Sequence, residues 1–154
     1  DKKELKKKNI VIYGAGGGVG KTLLFDLLGQ KNKIYAFNRS FSKIKKLNKN
    51  RLKILKIEEE IKDLSNVDIY INCSSIKVSE YSQKLKNIIN FIKPKTIYDI
   101  NYNYKKSEIL KVKKLLKSKF IIGKKMNLYQ AIFAINSIFI KYSKKKIEKI
   151  LLSI

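Results

Sequence analysis

Short runs of aliphatic and β-branched residues alternate with longer amphipathic stretches along most of this chain. Parallel strands buried on both faces read as continuous apolar runs, and the stretches between them read as crossover helices. We predict six strands, at Asn9–Tyr13, Lys33–Phe37, Leu52–Ile57, Val67–Asn72, Thr96–Ile100 and Phe120–Ile122. Helices are predicted at Lys21–Gly29, Ser42–Leu47, Ser79–Ile92 and Ser107–Lys117, with a helical end over Asn127–Tyr142 and Lys144–Leu152. The pattern therefore predicts an α/β fold, a Rossmann-type doubly wound parallel sheet with helices on both faces.

The length of 154 residues fits one domain with a core of its own, which we expect to span residues 1–154. No apolar stretch approaches the roughly 20 residues of a membrane span, and the opening DKKELKKK is too polar for a signal sequence. Cys73, the only cysteine, can form neither an intrachain disulfide nor a zinc cluster. We therefore predict a cytoplasmic protein without a membrane partner.

The formal net charge of +24 invites a nucleic-acid partner. All but two of the 36 cationic residues are lysines, however, whereas proteins that read bases and phosphates favour the forked guanidinium of arginine. We therefore predict no nucleic-acid partner and interpret the lysines as solvated surface. The chain contains no histidine, which excludes histidine acid–base catalysis, Ser-His-Asp triads and histidine metal ligation within it, and we predict no metal site.

The segment Gly14-Ala15-Gly16-Gly17-Gly18-Val19-Gly20-Lys21 follows the first apolar run and precedes an apolar helix. Five of the seven glycines of the chain lie here. Glycine is needed where a strand turns sharply into a helix and the backbone must approach a diphosphate, which the free N–H groups of the helix then bind. The segment predicts a nucleotide-binding turn, but two classes of nucleotide-binding protein share it.

One class is the P-loop ATPases, because GGVGKT is typical of the phosphate-binding loop of partitioning-type ATPases. Lys21 would then bind phosphates and Thr22 would bind magnesium. That class also needs an aspartate at the end of an apolar strand and an acid that positions water. Asp99 could serve in the first role, but no residue nearby fits the second.

The other class binds a dinucleotide, with Gly14 and Gly16 opening the turn and either Val19 or Gly20 as the third small residue. The end of the next strand distinguishes NAD from NADP, because NAD sites place an acid there and NADP sites place a cation. This chain has Asn38-Arg39-Ser40 at that position, with Lys43 close behind. An arginine retained among so many lysines favours recognition of a phosphate, and so favours NADP.

Four blocks of sequence together resemble the NADP-binding half of the shikimate dehydrogenase family. They are the glycine turn with Asn38-Arg39-Ser40, then Asp68-x-x-Ile71-Asn72-Cys73-Ser74-Ser75, then Tyr98-Asp99-x-x-Tyr102-Asn103-x-x-x-Ser107-x-x-Leu110, and finally Gly123-x-x-Met126-x-x-Tyr129-Gln130-Ala131. The resemblance runs from about Asn9 to Phe139 and keeps the order and spacing of the blocks. It implies NADP as cofactor and the reversible reduction of 3-dehydroshikimate to shikimate as the activity, in a monomer or homodimer. A noncatalytic NADP-binding module stays open as an alternative.

The resemblance also implies roles for individual residues. The backbone from Gly14 to Val19, including Ala15, Gly16, Gly17 and Gly18, would cradle the pyrophosphate. Other positions would contact the rest of the cofactor or the substrate: Asn38, Arg39, Ser40 and Lys43 the adenosine 2′-phosphate; Ser74 and Ser75 the nicotinamide ribose; Ile100, Gly123 and Met126 the nicotinamide; Tyr102 and Gln130 the shikimate. Three alternatives stay open: Met126 as a packing residue of the core, Tyr102 as an ordinary half-buried aromatic residue of a loop, and Gln130 as an amide on a helix surface.

Two departures from the family affect these expectations. Tyr104 stands where the family usually has proline, and we expect this change to loosen the loop that carries Tyr102. No segment resembles the N-terminal domain that supplies most substrate contacts and the catalytic Lys and Asp in the family. We therefore assign no catalytic residue in this chain and expect it to be the cofactor-binding half of the enzyme.

Overall fold

The computed structural model describes residues 5–47, 49–56, 58–80 and 83–138. Its strands are β1 (Asn9–Tyr13), β2 (Lys33–Phe37), β3 (Leu52–Leu55), β4 (Ile69–Asn72), β5 (Thr96–Asp99) and β6 (Lys119–Ile122). All neighbouring strands pair in parallel, in the order β3-β2-β1-β4-β5-β6. This order is that of a doubly wound Rossmann sheet, and it confirms the predicted fold class.

The described helices are α1 (Gly18–Gly29), α2 (Gln83–Ile92), α3 (Lys106–Leu116) and α4 (Lys124–Ile138). Both α1 and α4 begin three residues before their predicted starts, because each follows its strand through a single tight turn. The end of the helix predicted at Asn127–Tyr142, and all of that predicted at Lys144–Leu152, lie outside the described residues. Within the described ranges, none of the helices combines the length and the apolarity that a bilayer crossing requires.

Alternate residues of each strand pack on opposite faces of the sheet, which produces two core clusters. Val11 of β1 packs with Ile88 of α2 and Val112 of α3 on one face. Ile12 packs with Leu24 of α1 on the other. Burial of an aliphatic side chain of this size stabilises the fold by about 1.5–3 kcal/mol. The loops at the carboxyl ends of the strands are therefore held on a rigid double-sided core.

The prediction of a helix at Ser42–Leu47 is wrong. The structure has a single 3-10 turn there, Phe41–Lys43. Ile44, which directly follows the turn, is fully buried, whereas its lysine neighbours on both sides are exposed. Phe41 and Leu47 pack against the same core cluster but are only partly buried, so Ile44 is the one fully buried anchor of the turn and the apolar stripe of a longer helix is incomplete.

The structure also shortens or divides other predicted elements. The predicted strand Leu52–Ile57 ends at Leu55 in the described residues. The helix predicted at Ser79–Ile92 is instead a 3-10 turn at Val78–Glu80 and α2, with residues 81 and 82 not described. The 3-10 turn is held by a side chain of β5, because the amide of Val78 donates to Asp99.

Candidate functional site

The glycine turn after β1 is pressed between the ends of two neighbouring strands. The amides of Gly14 and Ala15 both donate to the carbonyl of Phe37, at 2.9 and 3.0 Å. Gly14 has φ of +84°, and a Cβ there would lie 2.8 Å from the carbonyl carbon of Cys73. No residue with a side chain adopts this position without strain, so the turn requires glycine.

Gly20 is the third small residue of the turn, a point that the sequence left open between Val19 and Gly20. A Cβ on Gly20 would lie 2.4 Å from the carbonyl oxygen of Gly14 and 2.9 Å from the Cα of Ala15. The missing side chain therefore lets α1 pack directly on the turn. Gly20 is a structural residue of the site that the residue-by-residue carry-over from the family did not include.

The first turn of α1 is open to an anionic group. Gly17 caps the helix without a side-chain hydrogen bond, and no acidic residue lies in the first turn. A Cβ on Gly18 would meet no atom within 4 Å, so the space beside the backbone is clear. Uncapped N–H groups and the positive end of the helix dipole favour a phosphate here. The residues present therefore fit a pyrophosphate.

Asn38, at the end of β2, connects the glycine turn to the neighbouring loop. Its Oδ1 accepts from the amide of Gly16 at 3.0 Å, and its Nδ2 donates to the carbonyl of Ser40 at 2.9 Å. Arg39, Ser40 and Lys43 are exposed beside it. The main function of Asn38 in the structure is thus to position the loop that carries the exposed cation.

A cleft of about 220 Å³ brings together residues from three separate segments. The glycine turn, the loop after β2 and the loop after β4 each contribute to the lining, which consists of Tyr13, Gly14, Gly17, Asn38, Arg39, Ser40, Lys43, Cys73, Ser74, Ser75 and Ile76. Two of these lining residues are cationic, and none is acidic. The cleft lies at the carboxyl ends of the strands next to the point where the strand order reverses, which is where open α/β sheets bind ligands.

The loop after β4 is folded by the buried side chain of Asn72. Its Oδ1 accepts from the amide and the hydroxyl of Ser74, at 2.9 and 2.7 Å, and its Nδ2 donates to the carbonyl of Ile76 at 2.7 Å. Ser74 therefore has its hydroxyl in an internal hydrogen bond, whereas Ser75 is exposed in the cleft. Burial, and secondly the charge of Asp99, raises the pKa of the Cys73 thiol to about 12, so this thiol is protonated at neutral pH.

Ile100 and Gly123 are in direct backbone contact. A Cβ on Gly123 would lie 2.0 Å from the carbonyl oxygen of Ile100, and the amide of Gly123 donates to Asn101. Met126 and Gln130, on α4, line a second, wider groove of about 590 Å³ together with Tyr98, Lys125 and Tyr129. Sequence reasoning did not assign Tyr98 or Lys125 to a site, and only the packing of α4 beside β5 identifies them.

Tyr102 is 53% exposed and lines neither cleft. The loop that carries it is not loosened by Tyr104, contrary to the expectation from the missing proline. The hydroxyl of Tyr104 bonds to Asp99 and to the amide of Val78, and its own amide donates to the carbonyl of Tyr102 at 3.0 Å. A proline could make none of these bonds.

The side chains that a P-loop ATPase would use for magnesium are engaged elsewhere. The hydroxyl of Thr22 donates to the carbonyl of Gly18 at 3.0 Å. Asp99 is fully buried and accepts hydrogen bonds from neighbouring loops.

No protein-family model matches the chain. The chain is similar to the shikimate dehydrogenase (NADP(+)) of Methanocaldococcus jannaschii, with 35% identity over 141 residues, 84% of this chain and 49% of that protein. It is 30% identical to the shikimate dehydrogenase (NADP(+)) of Aquifex aeolicus over 132 residues, 85% of this chain and 47% of that protein. The chain thus spans about half the length of these curated relatives.

Solved structures agree with the sequence comparison. The crystal structure of shikimate dehydrogenase from Aquifex aeolicus matches with a TM-score of 0.69 and 25% identity, and covers 94% of this chain and 53% of that one. A shikimate dehydrogenase crystallised in complex with NADP+ matches with a TM-score of 0.65 and 25% identity, over 96% of this chain and 55% of that one.

Proposed function

Because the chain belongs to the shikimate dehydrogenase family over the half of the relatives' length that it spans, we propose that it is the NADP-binding part of a shikimate dehydrogenase. The whole enzyme would reduce 3-dehydroshikimate to shikimate reversibly, with the hydride supplied by the bound cofactor. The contribution of this chain is to bind and orient the two ligands. The cytoplasm, where the free thiol of Cys73 stays reduced, is the location that we propose with this function.

The observation that carries the proposal is the position of Arg39. It lines the same cleft as Gly14 and Gly17, beside Ser40 and Lys43. An NAD site places an acidic side chain at the end of β2, and the described lining of this cleft contains none. An exposed guanidinium next to a hydroxyl and a second cation suits the 2′-phosphate that distinguishes NADP from NAD.

Each remaining residue of the proposed site takes its role from its place in the fold. The amides of the first turn of α1 would bind the pyrophosphate, with Gly16 held in place by Asn38. The nicotinamide half would lie over the carboxyl ends of β4, β5 and β6, the strands beyond the point where the strand order reverses. The residues that follow these strands are Ser75, Ile100, Gly123 and Met126. Exposed Tyr102 and Gln130 would contact shikimate.

The experiment is a calorimetric titration of the full chain with NADP+, NAD+ and Mg-ATP. We expect NADP+ to bind at least about tenfold more tightly than NAD+, because a hydrogen bond to a charged group contributes about 1.5–3 kcal/mol. Arg39→Ala should remove most of this preference and leave the NAD+ affinity unchanged. Mg-ATP should compete weakly.

Arg51→Ala is the matched control, because Arg51 is the only other arginine and directly precedes β3, at the amino end of the parallel strands, whereas the cleft lies at their carboxyl ends. It should leave both affinities unchanged. Equal affinity of the unmodified chain for NADP+ and NAD+, or equal effects of the two arginine substitutions, would contradict the proposal.

A further inference from the structure

Asp99, the last residue of β5, presents a fully buried carboxylate that accepts hydrogen bonds on both oxygens. Oδ1 accepts from the Nδ2 of Asn72 at 2.9 Å, and from the amide and the Nδ2 of Asn101 at 3.0 and 2.8 Å. Oδ2 accepts from the amide of Val78 at 2.8 Å and from the hydroxyl of Tyr104. None of these hydrogen-bond partners is cationic, and the hydrogen bonds offset the cost of burying the polar carboxyl group.

The partners of Asp99 come from two different loops. Asn72 and Val78 bracket the loop after β4, which carries Ser74 and Ser75. Asn101 and Tyr104 belong to the loop after β5. The Nδ2 of Asn101 also donates to the carbonyl of Ser74 at 3.1 Å, so the two loops are joined to each other as well as to the carboxylate.

Tyr104 adds to this network in a way that its family counterpart, proline, does not. Its hydroxyl donates to Asp99 and accepts from the amide of Val78 at 2.7 Å. The ring packs edge-on against Phe120, with centroids 5.7 Å apart, and the ammonium of Lys77 lies 5.5 Å from the ring centroid. Burial and the bond to Asp99 raise the pKa of Tyr104, so the hydroxyl keeps its proton and stays a donor at neutral pH.

The network lies on one side of the proposed cofactor site. In a doubly wound sheet a dinucleotide lies across the point where the strand order reverses, here between β1 and β4. Arg39 follows β2, on the adenosine side of that point. The loops that Asp99 joins follow β4 and β5, on the other side. A buried polar network with every member satisfied favours a single arrangement of the segments it joins.

We propose that Asp99 is a positioning residue for the nicotinamide half of the cofactor, which holds the loops after β4 and β5 in the arrangement that binds it, and that Tyr104 assists it in this chain. The inference rests on the proposed NADP binding. It assigns Asp99 no contact with the cofactor. The loops that it holds carry the contacting residues, Ser75 and Ile100.

Two ligands separate this role from a general effect on folding. NADP+ spans both halves of the site, whereas adenosine 2′,5′-bisphosphate occupies only the adenosine half. We would titrate the full chain and three variants, Asp99→Asn, Asn101→Ala and Tyr104→Phe, with both ligands. Asp99→Asn replaces one carboxylate oxygen by an amide NH2 group. A donor then faces the N–H and O–H groups that donate to Asp99 in the unmodified chain. Tyr104→Phe removes one donor and keeps the ring against Phe120.

We expect Asp99→Asn to weaken NADP+ binding about tenfold or more and the other two variants to weaken it about threefold to tenfold, in line with the loss of one or two hydrogen bonds. Affinity for the bisphosphate should fall by no more than about twofold throughout, since the loop after β4 lines only one wall of the Arg39 cleft and the loop after β5 does not line it. Tyr35→Phe, on β2, is the matched control for Tyr104→Phe and should change neither affinity.

Equal losses for the two ligands, or no loss of NADP+ affinity, would overturn the assignment. If Asp99→Asn does not fold, which circular dichroism would show, Asn101→Ala and Tyr104→Phe decide, because both keep the carboxylate. Failure of the unmodified chain to bind the bisphosphate would overturn the proposed function, and with it this inference. Normal bisphosphate binding with unchanged NADP+ binding in all variants would overturn this inference alone.

Discussion

Replacing Gly20 by alanine tests how closely α1 packs on the glycine turn. The added Cβ would lie 2.4 Å from the carbonyl oxygen of Gly14, and real Cβ atoms essentially never approach within 3.0 Å. The helix and the turn must therefore separate by about 0.6 Å or more, and both are backbone segments of the fold. Overpacking of this kind costs about 1–3 kcal/mol, and the better helix propensity of alanine offsets up to about 1 kcal/mol of it.

Gly18→Ala is the matched control, because Gly18 lies in the same helical turn and a Cβ there meets no atom within 4 Å. That variant should be neutral or more stable by up to about 1 kcal/mol. The gain in helix propensity is common to both variants, so we expect their free energies of unfolding to differ by the overpacking cost of about 1–3 kcal/mol, with Gly20→Ala the less stable.

Urea denaturation followed by far-UV circular dichroism measures this difference. The midpoint for Gly20→Ala should fall with an unchanged m-value, since the extent of burial stays the same. Its NADP+ affinity should also fall, because the turn is displaced. Free energies of unfolding of the two variants that agree within about 0.5 kcal/mol would refute the described packing.

Three further predictions concern other parts of the site. Gly123→Ala would place a Cβ 2.0 Å from the carbonyl oxygen of Ile100, and should lower the thermal midpoint by about 2 °C or more, a shift that differential scanning calorimetry resolves. Asn38→Ala removes the acceptor of the Gly16 amide and the donor to the Ser40 carbonyl, and should weaken NADP+ binding by about fivefold to tenfold and NAD+ binding less in a titration, because only NADP+ also uses the loop that carries Arg39. Burial raises the pKa of Cys73 from 9.0 to about 12, so the stability that the protonated thiol contributes is complete below pH 9.0 and is lost as the pH rises toward 12. Urea denaturation across this range should show an alkaline loss of stability that is smaller in Cys73→Ala.

Much of the fold could be predicted from the sequence because the strands are buried on both faces. Ile10, Val11 and Ile12 are each fully buried. Such a continuous apolar run is typical of a buried parallel strand and has no polar positions that would suggest a helical period. The region around Ile44 was mispredicted for the opposite reason. A single buried residue among lysines fits both a turn and the start of a helix, and only the neighbouring core decides between them.

The site was predictable where one segment carries the signal and not where separate segments meet. Glycine spacing located the glycine turn, but Val19 and Gly20 both satisfy that spacing, and only the contact of Gly20 with the Gly14 carbonyl distinguishes them. The hydrogen bond between Asn72 and Asp99 joins residues that are 27 positions apart and depends on the register of β4 and β5. The sequence signal for this contact was a polar residue at or next to the end of each of two apolar strands, Asn72 in one and Asp99 in the other.

Arg39 is the residue that we propose to recognise the 2′-phosphate of NADP at the end of β2. A crystal structure of this chain with NADP+ tests this role most directly. We predict that the Arg39 guanidinium lies within hydrogen-bond distance of the 2′-phosphate, with the pyrophosphate against the first turn of α1. A bound NADP+ whose 2′-phosphate points into solvent, away from Arg39, would contradict the account, as would a cofactor bound away from the glycine turn.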